Sequence, residues 1–88
     1  MRKNKDKKIS AGKVVQKKIR PEYFIDVVTG KKRFELRRDE DDIQPGDILV
    51  LQEFNGRYTG AKKEKVVKYV LRNVPEYGLI EGYCIIGW

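Results

Sequence analysis

Residues 30–38 read Gly-Lys-Lys-Arg-Phe-Glu-Leu-Arg-Arg, a stretch in which five cations and one carboxylate follow a glycine. Phe34 and Leu36 alternate with Glu35 and Arg37, and this period of two predicts a β-strand, because successive side chains of a strand point to opposite faces. We therefore expect Phe34 and Leu36 to lie in the core and Glu35 and Arg37 to share the outer face. The charged side chains would then project together from a rigid strand and could bind an anion.

The sequence before this strand predicts one further strand and a helix. Residues 14–19 are typical of a first strand. Pro21 suits the first turn of a helix because its φ angle is already fixed near the helical value. The apolar residues that recur at the spacing of one buried helical face are Phe24, Val27 and Val28. Gly30 is the expected glycine at the C-terminal end of this helix.

The sequence after residues 30–38 predicts three more strands. Residues 48–51 form a continuous apolar run, which fits a strand covered on both faces, and residues 55–60 mark a tight reversal. Another strand is expected from about residue 62 to 71, and residues 82–88 form a closing strand. Five strands with one early helix predict a mainly β fold with one or two short helices, of the α+β class. We expect a small, curved sheet that closes to bury its edges.

The length and composition predict one small domain. The chain has 88 residues and 40% apolar content. Residues 1–13 are rich in Lys and Arg and poor in apolar residues, so we expect a disordered basic arm there and a folded domain at residues 14–88. The arm could serve solubility or non-specific phosphate binding. Because no stretch approaches the roughly 20 apolar residues of a membrane helix, and no apolar run follows the basic N-terminus, we expect a cytoplasmic protein without membrane association.

The net charge of +7 is unevenly distributed along the chain. Residues 1–20 contain nine Lys or Arg and one acid, whereas residues 21–88 contain eleven Lys or Arg and twelve acids. Attraction to nucleic acid must therefore come from the arm and from local patches. The run Asp-Glu-Asp-Asp at residues 39–42 leaves an alternative open, since folding back would turn the basic cluster into an internal ion-pair network.

The residue types exclude several classes of site. The chain has no histidine and one cysteine, which excludes a structural zinc site and any Ser-His or Cys-His nucleophile pair. We assign no cofactor, no metal and no catalytic residue. Cys84 lies in an apolar run, and we expect a buried thiol with a structural role.

The basic cluster suits binding of RNA or single-stranded nucleic acid. Arg37 offers a planar, bidentate donor to a phosphate or a base edge. Glu35 could accept a hydrogen bond from an exocyclic amine or a ribose hydroxyl, or it could orient Arg37. Tyr58 and Tyr77 lie in turns, where exposed rings could stack on bases. The candidate nucleic-acid-binding residues are Lys31, Lys32, Arg33, Glu35, Arg37, Arg38, Tyr58 and Tyr77.

These residues resemble the hallmark of the ASCH family of the PUA-like superfamily, Gly-x-Lys-x-x-Glu-x-Arg. The matching positions are Gly30, Lys32, Glu35 and Arg37. The chain is especially similar to a small phage- and bacteria-associated subfamily, usually labelled a domain of unknown function. Its further motifs match residues 21–24, 46–49, 58–60 and 77–83. The resemblance implies a PUA-like β-barrel of five to six strands with a helix-flanked cleft, and RNA binding as the activity. The histidine that often stands near the first strand of this subfamily is missing here.

Two other functions remain open. Some ASCH-like relatives are amidohydrolases on acetylated cytidine that use a lysine with a threonine three residues later. Lys32 could match that lysine, but Glu35 stands where the threonine would be, which argues against that mechanism. Alternatively, the acidic run at residues 39–42 could make the chain a phage-type module that binds a host protein.

Overall fold

The structure is a computed structural model that describes residues 12–88, and it is mainly β with one α-helix, as the sequence predicts. In chain order the elements are β1 (Val14–Ile19), α1 (Pro21–Val28), β2 (Phe34–Arg38), β3 (Ile48–Phe54), β4 (Tyr58–Val66), β5 (Tyr69–Leu71) and β6 (Tyr83–Gly87), with a 3₁₀ turn at Pro75–Tyr77. The predicted first strand, helix and closing strand are confirmed within one residue at each end.

The strands form two three-stranded sheets. In the first sheet, β3 lies between β1 and β4, parallel to β1 and antiparallel to β4. In the second sheet, β6 lies between β2 and β5 and is antiparallel to both. The crossover from β1 to β3 contains α1 and β2, as a parallel pair requires a long connection. No closed barrel is seen in residues 12–88, so the expected PUA-like barrel is not confirmed.

Helix α1 is short and buries only a narrow side. Its N-terminal residue is Pro21, and Gly30, with φ +84°, follows its C-terminal end in the left-handed conformation that glycine adopts without strain. Phe24 and Val27 are buried, as predicted. The prediction for Val28 is wrong, because this side chain is 46% exposed. The eight-residue helix packs mainly on β3, and Val28 lies outside the side that makes this contact.

The predicted strand from residue 62 to 71 is two strands in different sheets. The backbone changes sheet at Val67, whose N–H donates to Asp47 O at 2.9 Å and whose carbonyl accepts from Gly46 N at 2.8 Å. Lys68 N then donates to Gly87 O at 2.8 Å, which starts the pairing of β5 with β6. The prediction of one continuous strand is therefore wrong, and six strands are present in the described residues.

The core lies between α1 and the two sheets. Its buried residues come from every layer and from two connections, and they are Ile19, Phe24, Val27, Ile43, Leu49, Leu51, Val67, Cys84 and Ile86. The prediction that Cys84 is a buried thiol is confirmed. Burial, followed by the negative charge of Asp39, raises the pKa of this thiol, which keeps it protonated and inert at neutral pH.

The chain enters the domain through Gly12 and Lys13. A Cβ atom at Gly12 would lie 2.0 Å from Gly46 O, so only glycine fits there. Lys13 donates from its backbone N–H to Asp47 Oδ1 at 3.0 Å and from Nζ to Asp47 Oδ2 at 2.7 Å. These two residues, expected in the arm, thus contact the folded domain. The rest of the predicted arm, residues 1–11, lies outside the described residues.

Asp47 is the buried carboxylate of this contact. Burial opposes its ionisation, but the hydrogen bonds from the Lys13 ammonium and from the Gln44 and Lys13 backbone outweigh burial and lower its pKa. The carboxylate therefore stays ionised at neutral pH and pins the start of β1 to the turn before β3. Within residues 12–88, no helix has the length and apolar character needed to cross a bilayer.

Candidate functional site

Glu35 is the centre of the candidate site. It lies in the middle of β2 opposite Ile86, one of the most buried residues of the core, and it is only 6% exposed. Its Oε1 accepts from Lys32 Nζ. Its Oε2 accepts from Arg37 Nε at 2.9 Å and Nη2 at 2.6 Å. Both carboxylate oxygens are thus satisfied by cations of the same motif, and we call Lys32, Glu35 and Arg37 the trio.

The trio reverses the predicted faces of β2. Phe34 and Leu36, expected in the core, are 48% and 56% exposed, whereas Glu35, expected on the outer face, is buried. Register explains the reversal, because Glu35 and Arg37 pair with Ile86 and Cys84, the inward residues of β6. A carboxylate can occupy such a position when it is fully hydrogen-bonded to cations. The prediction of the faces is wrong, while the interpretation that Glu35 orients Arg37 agrees with their contacts.

The trio also bridges the two sheets. Arg37 Nη2 donates to the backbone carbonyl of Lys18 in β1, an edge strand of the first sheet, while Arg37 itself belongs to β2, an edge strand of the second. Lys32 Nζ donates to Phe34 O at 2.6 Å. The site is therefore held by strands of both sheets.

Two exposed aromatic rings adjoin the trio. Lys32 Nζ lies 5.0 Å from the ring centroid of Phe34 and 5.7 Å from that of Tyr23, within the range of cation–π attraction. Both rings are about half exposed. Sequence reasoning missed them as site residues, although the position of Tyr23 beside the buried Phe24 already placed it off the inner side of the helix. A planar ligand could stack here next to a fixed positive charge.

The other predicted cations lie around the trio without joining it. Lys31 and Arg33 are exposed on the connection between α1 and β2. Arg38 is exposed at the end of β2, with its guanidinium carbon 5.6 Å from the ring centroid of Tyr83. Of the five cations in residues 30–38, two form the trio with Glu35 and three stand on the surface.

The two predicted stacking residues are exposed, as expected, but they lie on other elements. Tyr58 begins β4 in the first sheet, is 53% exposed and packs edge-to-face on Phe54 with 5.0 Å between ring centroids. Lys18 Nζ lies 4.2 Å from the Phe54 centroid. Tyr77 is 82% exposed in the 3₁₀ turn. The predicted residues thus lie on different elements. Lys18 links two of them, because its carbonyl accepts from Arg37 and its Nζ lies 5.7 Å from the Tyr58 ring centroid.

The acidic run is paired with cations outside the trio. Asp39 accepts from Arg72 Nε at 2.6 Å, and Lys17 Nζ lies 3.1 Å from Glu40 Oε2 and 2.5 Å from Asp41 Oδ2. The hydrogen bond from Arg72 holds the pKa of Asp39 below its usual value. Burial lowers the pKa of Lys17, but its contacts with the two carboxylates outweigh burial and raise it. The acidic run therefore folds back on the domain. Its carboxylates pair with Lys17 and Arg72 and not with Lys32 or Arg37, so the trio keeps its net positive charge.

The described residues offer no metal site. Within residues 12–88, no three His, Cys, Asp or Glu side chains are grouped so that they could hold an ion. A cavity of about 290 Å³ lies elsewhere, lined by Leu36, Gly78, Leu79, Ile80 and Tyr83. Leu36 belongs to the face of β2 opposite Glu35, so this cavity does not open on the trio.

The fold and the site together define a class of protein: a small, mainly β domain in which a buried carboxylate lies between two cations. The family of domains of unknown function DUF3850 matches residues 14–88, and the chain belongs to this family. The chain is also similar to an uncharacterized 12.9 kDa protein in the GpA 3′ region of Escherichia phage P2. The two are 40% identical over 53 residues, which cover 59% of this chain and 49% of the phage protein. The match therefore spans about half the length of that curated relative.

Proposed function

We propose that this domain binds RNA or another single-stranded nucleic acid at the trio. The observation that carries the proposal is a net positive, rigidly held ion cluster beside the half-exposed rings of Tyr23 and Phe34. Single-stranded nucleic acids combine phosphate charge with bases that stack on aromatic rings, so they match both parts of the site. The resemblance to the ASCH family of PUA-like proteins supports the same function.

Each member of the trio has a distinct role in this proposal. Glu35 uses both oxygens on its neighbours, so it positions the two cations and does not contact the ligand. Arg37 Nη1 makes no hydrogen bond within residues 12–88, and Lys32 retains one ammonium proton beyond its two acceptors. These donors would bind a phosphate oxygen or the acceptor edge of a base.

The geometry gives less support to the two alternative functions, an amidohydrolase and a module that binds a host protein. Lys32 Nζ donates to Glu35 and to the Phe34 carbonyl, which suits a fixed hydrogen-bond donor better than a lysine nucleophile or base. The acidic run at residues 39–42 is largely paired within the domain, which reduces the charge that it could offer to a partner protein.

The proposal is tested by measuring the affinity for a fluorescent single-stranded RNA of mixed sequence. Lys32→Gln is compared with Lys63→Gln, which removes the same charge from an exposed position of β4. We expect Lys32→Gln to lose at least fivefold more affinity than Lys63→Gln. Equal losses, or NMR shift changes confined to residues 1–13 during the titration, would show that only general charge attracts the RNA.

A further inference from the structure

The outer face of the β2–β6–β5 sheet is apolar, and its end near Phe34 and Tyr69 is exposed. Register places its side chains in cross-strand rows, the first formed by Phe34, Gly87 and Tyr69 and the second by Leu36, Ile85 and Leu71. Phe34, Leu36 and Tyr69 are 48%, 56% and 65% exposed. Exposed apolar side chains that lie together on one face mark a binding surface more often than scattered ones do.

The first row has the shape of a slot. Gly87 stands between two aromatic residues, each one strand away, so the Phe34 and Tyr69 backbones are about 10 Å apart at the usual strand spacing. A Cβ atom built on Gly87 would meet only Tyr69 O at 3.8 Å and Arg33 O at 4.0 Å. Apart from the two residues next to Gly87 in the chain, only these backbone atoms lie within 4 Å of that Cβ position.

The width of the slot suits one flat ring. Stacked bases lie about 3.4 Å apart, so a base held between two rings needs ring planes about 7 Å apart. Two aromatic side chains whose backbones are about 10 Å apart can bring their ring planes to that separation above a glycine. A larger residue at the central position would fill the space between the rings.

The charge beside the slot indicates its occupant. Lys32 Nζ lies 5.0 Å from the ring centroid of Phe34, so a cation borders one wall of the slot. A single-stranded nucleic acid supplies both a flat base for the slot and a phosphate for this cation.

We propose that the slot over Gly87, between Phe34 and Tyr69, sandwiches one base of a bound single-stranded RNA. This inference rests on the proposed function and extends its site, because the Phe34 ring lies beside both Lys32 and the slot. The trio holds the backbone or a base edge, and the outer face of the second sheet holds the adjacent base.

The test fills the slot in the full chain with Gly87→Val. Ala61→Val also creates a valine at an exposed strand position, in β4, and is the control, although it adds two side-chain carbons where Gly87→Val adds three. We expect Gly87→Val to fold with an unchanged urea midpoint, because a Cβ fits and valine favours strands. Its affinity for single-stranded RNA should fall at least tenfold, while Ala61→Val binds as the wild type does.

A second variant covers the case in which Gly87→Val fails to fold. Tyr69→Leu removes the ring and keeps an apolar side chain, and we expect a fivefold or greater loss of affinity from the lost stacking. Wild-type affinity in both variants, with Lys32→Gln still impaired, would overturn the slot and leave the proposed function standing. A wild-type chain that binds no RNA would overturn both. A dimer in sedimentation that Gly87→Val dissociates would assign the face to a second copy and overturn the slot.

Discussion

Glu35 shows how a charged side chain can be an interior residue of a small domain. Its burial is compatible with folding because each oxygen contacts a cation three or two residues away, Lys32 or Arg37. Removing the carboxylate would leave two neighbouring cations without their counter-charge in a partly buried site. The cost of breaking such a pair is larger than the net value of forming it.

We predict that Glu35→Gln lowers the free energy of unfolding by about 2–3 kcal/mol. The amide keeps the shape of the side chain but loses its charge and one acceptor oxygen. Urea denaturation followed by circular dichroism measures the change. Glu64→Gln, at an exposed position of β4, should change stability by no more than about 0.5 kcal/mol. Equal effects of the two variants would contradict the structural role of Glu35.

The ion pair between Asp39 and Arg72 makes the stability of the domain depend on pH. Its pKa in the folded state lies below the ordinary value of 3.8 because Arg72 donates a hydrogen bond to it. The ion pair therefore contributes its full stability above pH 3.8, and this contribution is lost as pH falls through the folded pKa. We expect Asp39→Asn to weaken the dependence of the urea midpoint on pH between about pH 5 and about pH 2. The linkage relation places the loss of this ion pair in that range.

Asp47 also has a lowered pKa, and this carboxylate still titrates in the Asp39→Asn variant. Some acid dependence should therefore persist in the single variant. A midpoint that falls with pH as steeply in Asp39→Asn as in the wild type would show that the Arg72 contact has no share in acid unfolding.

At the level of elements, β2 shows what a local pattern leaves open. The sequence Phe-Glu-Leu-Arg-Arg alternates correctly for a strand, and its position was predictable. Which side faces inward depends on register with β6, a strand about fifty residues later in the chain, and so on contacts that a local period does not contain. The rule that apolar residues go inside failed because the inward charges satisfy one another.

The division between β4 and β5 was hidden for a similar reason. Residues 62–71 contain no glycine or proline to mark an end. The break occurs where Val67 hydrogen-bonds with Gly46 and Asp47, far away in sequence. By contrast, the exposure of Tyr58 and Tyr77 followed from glycines beside them in the chain, and the sequence predicted both correctly.

The change of sheet gives a prediction with a built-in control. Val66 and Val67 are adjacent, but Val66 is 54% exposed and Val67 is 1% exposed. Val67→Ala should lower the free energy of unfolding by about 2 kcal/mol, from lost burial and the cavity left behind. Val66→Ala should change it by less than about 0.5 kcal/mol. Chemical denaturation of both variants measures the difference, and equal losses would mean that the chain does not turn inward at Val67.

For the whole molecule, charge is divided between a basic N-terminal stretch and a nearly neutral body. The nine Lys or Arg of residues 1–20 outnumber their single acid, while the remainder carries one more acid than cation. If RNA binding uses both parts, salt should weaken mainly the contribution of the N-terminal stretch, whereas stacking at the rings depends less on salt.

We predict that the triple variant K5Q/K7Q/K8Q binds single-stranded RNA with a shallower salt dependence. The slope of log affinity against log salt should decrease in magnitude by up to about 2, since each phosphate contact on a single strand contributes about 0.7. The charge-preserving variant K5R/K7R/K8R should retain the wild-type slope. Titrations at several salt concentrations measure the slopes. An unchanged slope in K5Q/K7Q/K8Q would confine binding to the folded domain.

The central position of β6 has a consequence for biosynthesis. β2 and β5 do not pair with each other, and β6, which joins them, follows both in the chain. During synthesis, the strands of the first sheet are all translated before β6, while the second sheet still lacks its middle strand. Until β6 is translated, Glu35 has no strand to face and the rings of Phe34 and Tyr69 stand on unpaired strands. The second sheet can therefore form only after β6 has left the ribosome.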